Sequence, residues 1–278
     1  MRALVFTEPG TVELRTADRP DPGEGEVLVH VRAAGICGSE LHGVRHAGFR
    51  QPPLVMGHEL AGITKDGRRV TVNPILSCGT CDLCGRGHDH LCRSRKLIGV
   101  HRPGGFAEAL TVPEQALHVL DPDMSFETAA MVEPLANAVH ALRLAAAEPG
   151  CRIGIIGAGT IGLVTLLVAR RSSDRVDICD LSERRLKLAA ELGASAATTV
   201  LAGEYDVVVD AVGTATTRRA SLEGLRPGGT AVWVGLLSAE TDFDAQGFVR
   251  AERRVLGSFA YADADFRAAL TLAAEVPA

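Results

Sequence analysis

Arg152-Ile-Gly-Ile-Ile-Gly-Ala-Gly-Thr-Ile-Gly162 is the stretch that decides how the second half of the chain folds. An apolar strand over Arg152 to Ile156 runs directly into the pattern G-x-G-x-x-G, and an apolar helix over Ile161 to Arg170 follows at once. In this setting the first glycine allows a tight turn, the second lets a pyrophosphate approach the backbone, and the third lets the helix pack closely on the strand. The helix amino terminus offers its N–H groups to the phosphates. The stretch therefore predicts a dinucleotide site formed by Gly157, Gly159, Thr160, Ile161 and Gly162.

An acidic residue at the end of the next predicted strand supports this interpretation. Asp180 closes the strand Arg175 to Cys179 and lies about 20 residues beyond the second glycine, where a carboxylate accepts a hydrogen bond from the ribose 2′-hydroxyl. Because the same carboxylate repels the 2′-phosphate of NADP, the sequence favours NAD. Arg184 and Arg185 keep NADP open, since either can reach a phosphate, although a solvated helix face explains them equally well.

Strands and helices alternate through the second half of the sequence. A helix that begins at Ser182 and ends at Gly193 is followed by three β-branched runs, which are Tyr205 to Asp210, Thr230 to Leu236 and Arg254 to Phe259. This alternation predicts a doubly wound parallel sheet of the α/β class. Before Pro122, short β-type runs between glycine- and proline-rich turns predict irregular β structure. We therefore expect two domains, a β-rich one over residues 1–133 and a dinucleotide-binding one over residues 134–278.

The composition of the chain excludes several classes of function. With 278 residues, 46% hydrophobic and 23% charged side chains, it is a globular protein long enough for two cores. A formal net charge of -5 gives no basic surface for nucleic acid or an anionic membrane, and no apolar run is long enough to span a bilayer. We expect a cytoplasmic protein whose seven cysteines are thiols or metal ligands. Cys151 and Cys179 lie in strand-like apolar runs and are interpreted as small buried side chains.

Four of the cysteines lie close together in Cys78-x2-Cys81-x2-Cys84-x7-Cys92. This spacing suits tetrahedral ligation of one zinc ion better than disulfide pairing, and a site made of four thiolates is closed to substrate. It therefore predicts a structural zinc site that orders a loop. An iron–sulfur cluster is an alternative, but there the fourth cysteine lies about three residues on and precedes proline. A nucleic-acid-binding zinc ribbon is another, which the acidic net charge disfavours.

The remaining cysteine, Cys37, belongs to a second candidate metal site. His58 and Glu59 follow it, and Glu133 lies in an apolar stretch where an unpartnered carboxylate is costly to bury. Taken alone, Cys37 is interpreted as a buried thiol and His58 as a structural histidine. Together, a thiolate, an imidazole and a carboxylate form a reasonable zinc set that leaves room for an exchangeable ligand.

Ordered motifs along nearly the whole sequence resemble the zinc-containing branch of the medium-chain dehydrogenase/reductase superfamily, which includes alcohol, polyol and threonine dehydrogenases. The motifs are Gly35-Ile-Cys-Gly-Ser-Glu-Leu-His42, Gly57-His-Glu59, the four-cysteine lobe, Gly104-Gly-Phe-Ala-Glu108, Glu133-Pro-Leu-Ala136, the glycine loop and Asp210-Ala-Val-Gly213. The resemblance implies a GroES-like catalytic domain followed by a Rossmann domain. It also implies an enzyme that moves a hydride between an alcohol and NAD, or NADP, as a homodimer or homotetramer.

The resemblance further assigns roles to individual residues. The implied ligands and nearby carboxylates of a catalytic zinc ion are Cys37, His58, Glu59 and Glu133. The implied proton relay is formed by Ser39 and His42, with Glu59 counted among the catalytic residues. The further cofactor residues are Gly213, which lies in one of these motifs, Gly235, and Arg185, which the sequence places close to Asp180. A carboxylate at Glu133, where many alcohol dehydrogenases have cysteine, is similar to the sorbitol and threonine dehydrogenase group, so polyols, amino alcohols, sugars or cyclitols are the expected substrates.

Three places are shorter than the family pattern. A β-hairpin after Gly62 is expected to be nearly absent, Leu201 to Glu204 is too short for the usual connecting helix, and the return of the chain to the catalytic domain is expected to be missing before Ala278. Glu40 stands where the family more often has aspartate. These departures keep open a non-catalytic function, a cofactor-binding or scaffolding subunit that retains the fold. A zinc-free quinone or enoyl reductase is a third interpretation, but it would lack the metal ligands.

Overall fold

Residues 1–45 and 50–274 are described by the computed structural model of the protein. They form two units, of which the first contains Met1–Glu133 together with the described residues from Ala262 onward, and the second contains Pro134–Tyr261. The sequence predicts a break at the same point, after residue 133, but predicts that the last segment belongs to the second domain.

Antiparallel strands make up most of the first unit. They are β1 (Arg2–Glu8), β2 (Thr11–Thr16), β3 (Glu26–Gly35), β4 (Leu54–Val55), β5 (Glu59–Thr64), β6 (Arg69–Val72), β7 (Ile75–Leu76), β8 (Lys96–Leu97), β9 (Ala109–Pro113) and β10 (Leu117–Val119). The helices between and after them are α1 (Gly38–Arg45), α2 (Asp82–Gly85) and α3 (Phe126–Ala130). Among the described residues, one sheet has the order β10-β6-β5-β3-β9 and another has the order β2-β1-β4. Inward side chains of the larger sheet, such as Val29, Leu60 and Leu110, form one buried core.

The hairpin that was expected to be nearly absent is present and tight. β5 and β6 pair antiparallel, with Ala61 opposite Thr71. Gly67 turns the chain between them with a φ of +88°, and the Thr64 hydroxyl accepts a hydrogen bond from the Arg68 N–H at 3.0 Å. The connection between β5 and β6 is therefore short because it has few loop residues, and the two strands still pair.

Parallel strands alternate with helices in the second unit. Its elements are α4 (Val132–Leu144), β11 (Ile153–Ile156), α5 (Thr160–Ala169), β12 (Val176–Cys179), α6 (Glu183–Glu191), β13 (Ala196–Thr198), β14 (Tyr205–Asp210), α7 (Ala215–Glu223), β15 (Leu225–Trp233), α8 (Ala245–Arg250) and β16 (Arg254–Gly257). Within the described part of the chain, the sheet order is β13-β12-β11-β14-β15-β16. This is the order of a doubly wound fold, with its topological switch point between β11 and β14. The predicted α/β class with a doubly wound parallel sheet is confirmed.

The central strands of this sheet are buried on both faces. Ile153 and Ile155 of β11 are fully buried, as expected where helices cover both sides of a parallel sheet. Cys179 is buried, as predicted, whereas Cys151 is only half-buried, and burial raises the pKa of both thiols. The connection between β13 and β14, residues 199–204, contains no helix. Among the described residues, no helix is both long enough and apolar enough to cross a membrane.

The last helix, α9 (Asp263–Ala273), packs on the first unit. The Phe266 ring lies 4.9 Å from the His118 ring, measured between centroids. The Asp263 N–H lies 3.2 and 3.4 Å from the two carboxylate oxygens of Asp89, to which it donates. These contacts return the chain to the first unit, which is why the second domain ends earlier than the sequence suggested.

Candidate active site and metal centres

The thiols of the four-cysteine lobe converge on one point. All four sulfur atoms, those of Cys78, Cys81, Cys84 and Cys92, lie within 4.8 Å of one another. Individual S–S distances are 3.5 Å for Cys81–Cys84 and Cys78–Cys92, 3.9 Å for Cys78–Cys84 and 4.0 Å for Cys81–Cys92. A tetrahedral site with Zn–S bonds of about 2.3 Å has S–S edges of about 3.8 Å, whereas a disulfide bond is about 2.05 Å long. The lobe therefore has the dimensions of a site for one tetrahedral ion.

Two thiols in this lobe ionise at very different pH values. Hydrogen bonds from the backbone N–H groups of Thr80 and Cys81 lower the pKa of Cys78 to about 6. Burial, and next its hydrogen bond with the Cys81 thiol, raise the pKa of Cys84 to about 11. Deprotonation of Cys78 is thus favoured, and deprotonation of Cys84 is disfavoured. A cation bound among them stabilises every thiolate at once, so the donor set fits a metal ion.

The pairing of β3 with β5 brings Cys37, His58 and Glu59 together. Gly35, the last residue of β3, lies opposite Glu59, the first residue of β5. Cys37 lies two residues after the end of β3, and one ligand atom from each of Cys37, His58 and Glu59 lies within 4.8 Å of the others. A Cβ at Gly35 would lie 2.1 Å from a carboxylate oxygen of Glu59, so only glycine leaves room for that side chain. The sheet register therefore assembles three of the four predicted ligands.

Glu40, in the first turn of α1, contacts two of these residues. Its Oε1 lies 2.8 Å from His58 Nδ1, and its Oε2 accepts a hydrogen bond from the Cys37 N–H at 2.9 Å. Glu40 is 1% exposed, so solvent does not compete for either contact. Because Nδ1 of His58 is held by the carboxylate, the other ring nitrogen, Nε2, is left for a metal ion.

Negative charge is concentrated around His58. Burial, and then the charge of Glu133, raise the pKa of Glu59 to about 7. Burial lowers the pKa of His58, but hydrogen bonds to Cys37 and Glu40 outweigh burial and raise it well above its usual value. Glu133 is buried at the start of α4 and lies outside the group whose ligand atoms are all within 4.8 Å of one another. A cluster that attracts protons this strongly also attracts a divalent cation.

The two predicted relay residues lie on α1, in different surroundings. The Ser39 side chain is half-buried, and its hydroxyl accepts a hydrogen bond from Arg50 Nη2 at 3.1 Å. His42 is exposed on the same helix. Ser39 is thus held from inside the first unit, whereas water reaches His42.

The glycine loop of the second unit has the conformation that its pattern predicted. Gly157 has a φ of +96°, which favours glycine, and a Cβ at Gly162 would lie 1.7 Å from the Gly157 carbonyl oxygen. Gly159 caps the amino terminus of α5 and has no side chain that occupies it. The Ala158 N–H donates to Asp180 Oδ2 at 2.8 Å, so the loop is tied to the end of the next strand.

A basic cavity of about 490 Å³ adjoins this loop. Its walls include Gly159 from the loop, Thr160 at the start of α5, and Arg184, Arg185 and Lys187 from α6. Arg185 Nη1 lies 3.5 Å from Asp180 Oδ2. The cavity is large enough for a nucleotide and carries positive charge next to a helix amino terminus, which is the environment that a phosphate prefers.

Gly213 and Gly235 pack against each other. A Cβ at Gly213 would lie 2.0 Å from the Gly235 carbonyl carbon, and one at Gly235 would lie 2.3 Å from the Gly213 nitrogen. Asp210 Oδ1 accepts hydrogen bonds from the Val212 and Gly213 N–H groups, each at 2.9 Å. The two backbone segments pack so closely that neither position has room for a side chain. This packing is enough to explain why both residues are glycine.

Comparison with known proteins identifies the family. A model described as "Alcohol dehydrogenase GroES-like domain" matches residues 23–122, and one described as "Zinc-binding dehydrogenase" matches residues 160–275. L-galactonate-5-dehydrogenase of Escherichia coli (strain K12) is 31% identical, over 99% of this chain and 88% of that protein. The chain belongs to the zinc-containing medium-chain dehydrogenases. As a member of this family it is an oxidoreductase of alcohols or polyols, and the predicted family and enzyme class are confirmed.

Two further proteins are similar to this medium-chain dehydrogenase. L-threonine 3-dehydrogenase of Saccharopolyspora erythraea is 35% identical, over 88% of this chain and 79% of that protein. A solved structure described as a zinc-binding dehydrogenase from Sinorhizobium meliloti 1021, bound to NADP, superposes with a TM-score of 0.92 at 32% identity, over 99% of this chain and 88% of that one. Zinc and a nicotinamide dinucleotide are therefore the cofactors that the comparisons support.

The contacts of Glu40 and Arg50 are not among the features that the sequence predicts. Glu40 differs from the family pattern only in replacing aspartate, although its place three residues after Cys37 in a helix amino terminus is a usable signal. Arg50 precedes a glutamine and two prolines, a context typical of an exposed turn. In the structure Arg50 is 2% exposed and donates to Ser39. No sequence pattern indicates that an arginine is buried there, because the contact depends on how α1 packs.

Proposed function

We propose that the protein is a zinc-dependent dehydrogenase that interconverts an alcohol and a ketone, with a polyol, sugar, cyclitol or amino alcohol as substrate and NAD as the preferred cofactor. The observation that carries the proposal is the convergence of Cys37, His58 and Glu59 within 4.8 Å, with Glu40 fixing His58. Thiolate, imidazole and carboxylate are ligands that zinc accepts, and three protein ligands leave one position for substrate. The names of the relatives, which act on a sugar acid and on threonine, support a hydroxylated substrate.

We further propose that the two metal centres have different tasks. The Cys78 lobe offers four thiols to one ion and is closed, so it orders its loop. The Cys37 site offers fewer protein ligands and is open. Glu133 adds a further carboxylate, either as a ligand or through a bound water molecule.

In the proposed reaction the chain's own residues bind, orient and move protons. A zinc ion at the Cys37 site supplies Lewis acidity, which lowers the pKa of a bound alcohol to near neutrality. Glu40 holds the His58 ring through Nδ1, so that Nε2 is the nitrogen that would bind a zinc ion. Ser39 takes the hydroxyl proton of the alcohol, and His42, which is exposed, passes it on to water.

Cofactor binding is assigned to the second unit. A nicotinamide dinucleotide supplies the hydride acceptor. The open amino terminus of α5 at Gly159 binds its pyrophosphate, and Asp180 accepts from its adenosine ribose. Arg185, on the wall of the basic cavity, lies beside that carboxylate and contributes to the same subsite.

Assembly into a homodimer or homotetramer is also proposed. β16 is at one edge of the parallel sheet in the described chain, and Val255 and Leu256 on it are half-buried. An edge strand with partly exposed apolar side chains pairs readily with a two-fold related copy. Sedimentation-velocity ultracentrifugation of the protein tests this directly, and a monomer at micromolar concentration would refute it.

The experiment that tests the proposal is metal analysis of the native protein, together with Cys37→Ala and Cys78→Ala variants. We expect about two zinc ions per chain in the wild type and a loss of one in each variant, as one closed and one open site require. A screen of polyols, aldonates and amino alcohols with NAD should then give activity in the wild type and none in Cys37→Ala. A single zinc ion that disappears only with Cys78→Ala would refute the catalytic site and favour a non-catalytic subunit.

A further inference from the structure

Arg50 makes a two-point contact with Ser39. Its Nη1 donates to the Ser39 carbonyl oxygen at 2.8 Å, and its Nη2 donates to the Ser39 hydroxyl oxygen at 3.1 Å. The guanidinium is planar and rigid, so two bonds to one residue fix both the backbone and the side chain of that residue. Arg50 is also 2% exposed, which is rare for arginine and indicates a specific role.

The helix that carries Ser39 is shaped to receive this guanidinium. Gly43 lies four residues after Ser39 on α1, so both face the same side of the helix. A Cβ at Gly43 would lie 2.6 Å from Arg50 Nη1 and 2.9 Å from its Cδ. Any larger residue at this position would push the guanidinium away from Ser39. The Arg50 contact therefore depends on a glycine in the middle of a helix, which is itself unfavourable by about 1 kcal/mol.

The charge of Arg50 matches its surroundings. Burial lowers the pKa of Arg50, and the negative charges of Glu40 and Cys37 counteract part of that effect. The residue remains a cation because a guanidinium is not deprotonated in proteins. Its positive charge therefore stabilises the nearby negative charges of Glu40 and Cys37.

We propose that Arg50 is a positioning residue that gives Ser39 the correct hydrogen-bonding state for proton transfer, an inference that rests on the proposed dehydrogenase function. A hydroxyl has one proton and two lone pairs. Arg50 occupies one lone pair, so that one lone pair and one proton remain. The free lone pair accepts the proton of the substrate alcohol as its O–H bond breaks, and the original Ser39 proton leaves to the next acceptor, a hydroxyl or a water molecule. Without Arg50 the Ser39 hydroxyl rotates among several orientations. Only some of these orientations allow it to accept the proton of the alcohol and also to donate its own proton to the next acceptor.

A double-mutant cycle between Arg50 and Ser39 tests the proposal. The variants are Arg50→Met, Arg50→Lys, Ser39→Ala and the Ser39→Ala/Arg50→Met double variant, each assayed after its zinc content has been measured. We expect Arg50→Met to lower kcat about 10- to 100-fold, within the range of a lost proton-transfer contribution, with little change in KM. Arg50→Lys should recover part of the rate, because lysine keeps the charge but makes only one directed contact. The solvent deuterium isotope effect on kcat should rise in Arg50→Met, as proton transfer becomes slower.

The decisive result is the double variant. If Arg50 acts through Ser39, Arg50→Met costs nothing further once Ser39 is alanine, and the two losses are strongly non-additive. Equal losses in both backgrounds would overturn the proposal and leave Arg50 a structural residue. Gly43→Ala is a second route to the same perturbation, since it keeps arginine but displaces it, and it should reproduce the loss of kcat. A Gly43→Ala variant with wild-type kcat would also overturn the proposal.

Arg45→Met is the matched control, because Arg45 is an exposed arginine at the end of the same helix. We expect wild-type kcat from it. A wild-type protein that binds two zinc ions and NAD but oxidises no alcohol in the screen would refute the proposed function, before any variant is made. An active wild type with additive losses refutes only the role of Arg50.

Discussion

Glu40 and His58 form a buried pair in which Glu40 Oε1 lies 2.8 Å from His58 Nδ1. The same carboxylate receives the Cys37 N–H through its other oxygen, at 2.9 Å. One side chain therefore fixes two candidate zinc ligands that are 21 residues apart in the sequence, from Cys37 to His58 (58 − 37 = 21). Outer carboxylates of this kind set the tautomer and orientation of a ligating histidine.

Glu40→Gln is expected to weaken zinc binding at the Cys37 site by about 10- to 100-fold, the usual cost of losing such an outer contact. Glutamine keeps the shape but offers His58 a weaker acceptor, and its amide can point an N–H at the ring. The measurement is zinc retained during dialysis against a graded chelator series. Zinc in the Cys78 lobe serves as the internal control and should be retained as in the wild type. Equal retention at both sites in Glu40→Gln would mean that Glu40 has no part in metal binding.

The ion pair between Arg102 and Glu26 predicts a pH-dependent contribution to stability. Arg102 Nη2 lies 2.7 Å from Glu26 Oε1, and both side chains are mostly shielded from solvent. The hydrogen bond from Arg102 lowers the pKa of Glu26 below its usual value of 4.5, so the ionised form is favoured in the folded chain. This contribution is present above pH 4.5 and is lost as the pH falls through the lowered, folded-state pKa. Glu26→Gln should cost about 0.5–1 kcal/mol of unfolding free energy at pH 7, and this cost should shrink steadily as the pH falls below 4.5.

Urea unfolding of wild type and Glu26→Gln across this pH range measures the difference. Glu108→Gln is the matched control, because Glu108 pairs with Arg2 at the surface, where both partners are well exposed. Solvent and salt screen that pair, so its removal should have the smaller effect at pH 7. A Glu26→Gln difference that did not shrink on acidification would contradict the electrostatic origin of the effect.

Helix α9 should depend on the metal in the four-cysteine lobe. Its N-cap residue is Ala262, which has no side chain that can cap, and the Asp89 carboxylate satisfies one free N–H of the first turn by accepting from Asp263, the first residue of the helix. Asp89 lies three residues before Cys92. We expect Cys78→Ala, by releasing the ion, to speed amide exchange in α9 about fivefold, the equivalent of losing a helix cap worth about 1 kcal/mol.

Hydrogen exchange followed by mass spectrometry reports this effect peptide by peptide. Asp89→Ala should produce the same faster exchange in α9 while the zinc content stays at the wild-type value. Helix α6, in the second unit, is the internal reference and should not change. Faster exchange in Cys78→Ala but not in Asp89→Ala would show that Asp89 does not transmit the effect.

The sequence predicted those parts of the fold and site that depend on local pattern. The strand before Gly157, the turn and the helix after it follow from a short run of residues, and the structure has each of them. The four-cysteine lobe is equally local, since all its ligands lie between Cys78 and Cys92. Cys37 and His58 come together through the register of β3 with β5, which a motif indicates but periodicity alone does not.

Contacts between distant side chains were not predictable in the same way. The return of α9 to the first unit depends on the packing of Phe266 against His118. The sequence around either residue gives no indication that the two side chains are in contact. The role of Arg50 depends on the space left by Gly43. Such contacts are decided by packing between elements, so they become visible only when the elements are in place.

Asp180 is predicted to decide between NAD and NADP. Its carboxylate accepts from the Ala158 and Ser182 N–H groups, each at 2.8 Å, and stands beside the basic cavity. A negative charge in this place repels a 2′-phosphate, and its removal leaves Arg184 and Arg185 to attract one. Asp180→Ser should therefore raise the Kd for NAD and lower that for NADP, each by about tenfold, which corresponds to about 1.4 kcal/mol in each case.

Titration calorimetry with both dinucleotides measures the two constants on the same protein. Glu183→Gln removes a carboxylate from the first turn of α6 and controls for a general change of charge on that helix. It should leave the ratio of the two Kd values close to that of the wild type. Adding Arg185→Ala to Asp180→Ser should abolish the gained affinity for NADP. In Asp180→Ser the Arg185 guanidinium no longer pairs with Asp180, and it is the group that we expect to bind the 2′-phosphate. If Asp180→Ser weakened both dinucleotides equally, the carboxylate would hold the glycine loop through Ala158 and would take no part in choosing the cofactor.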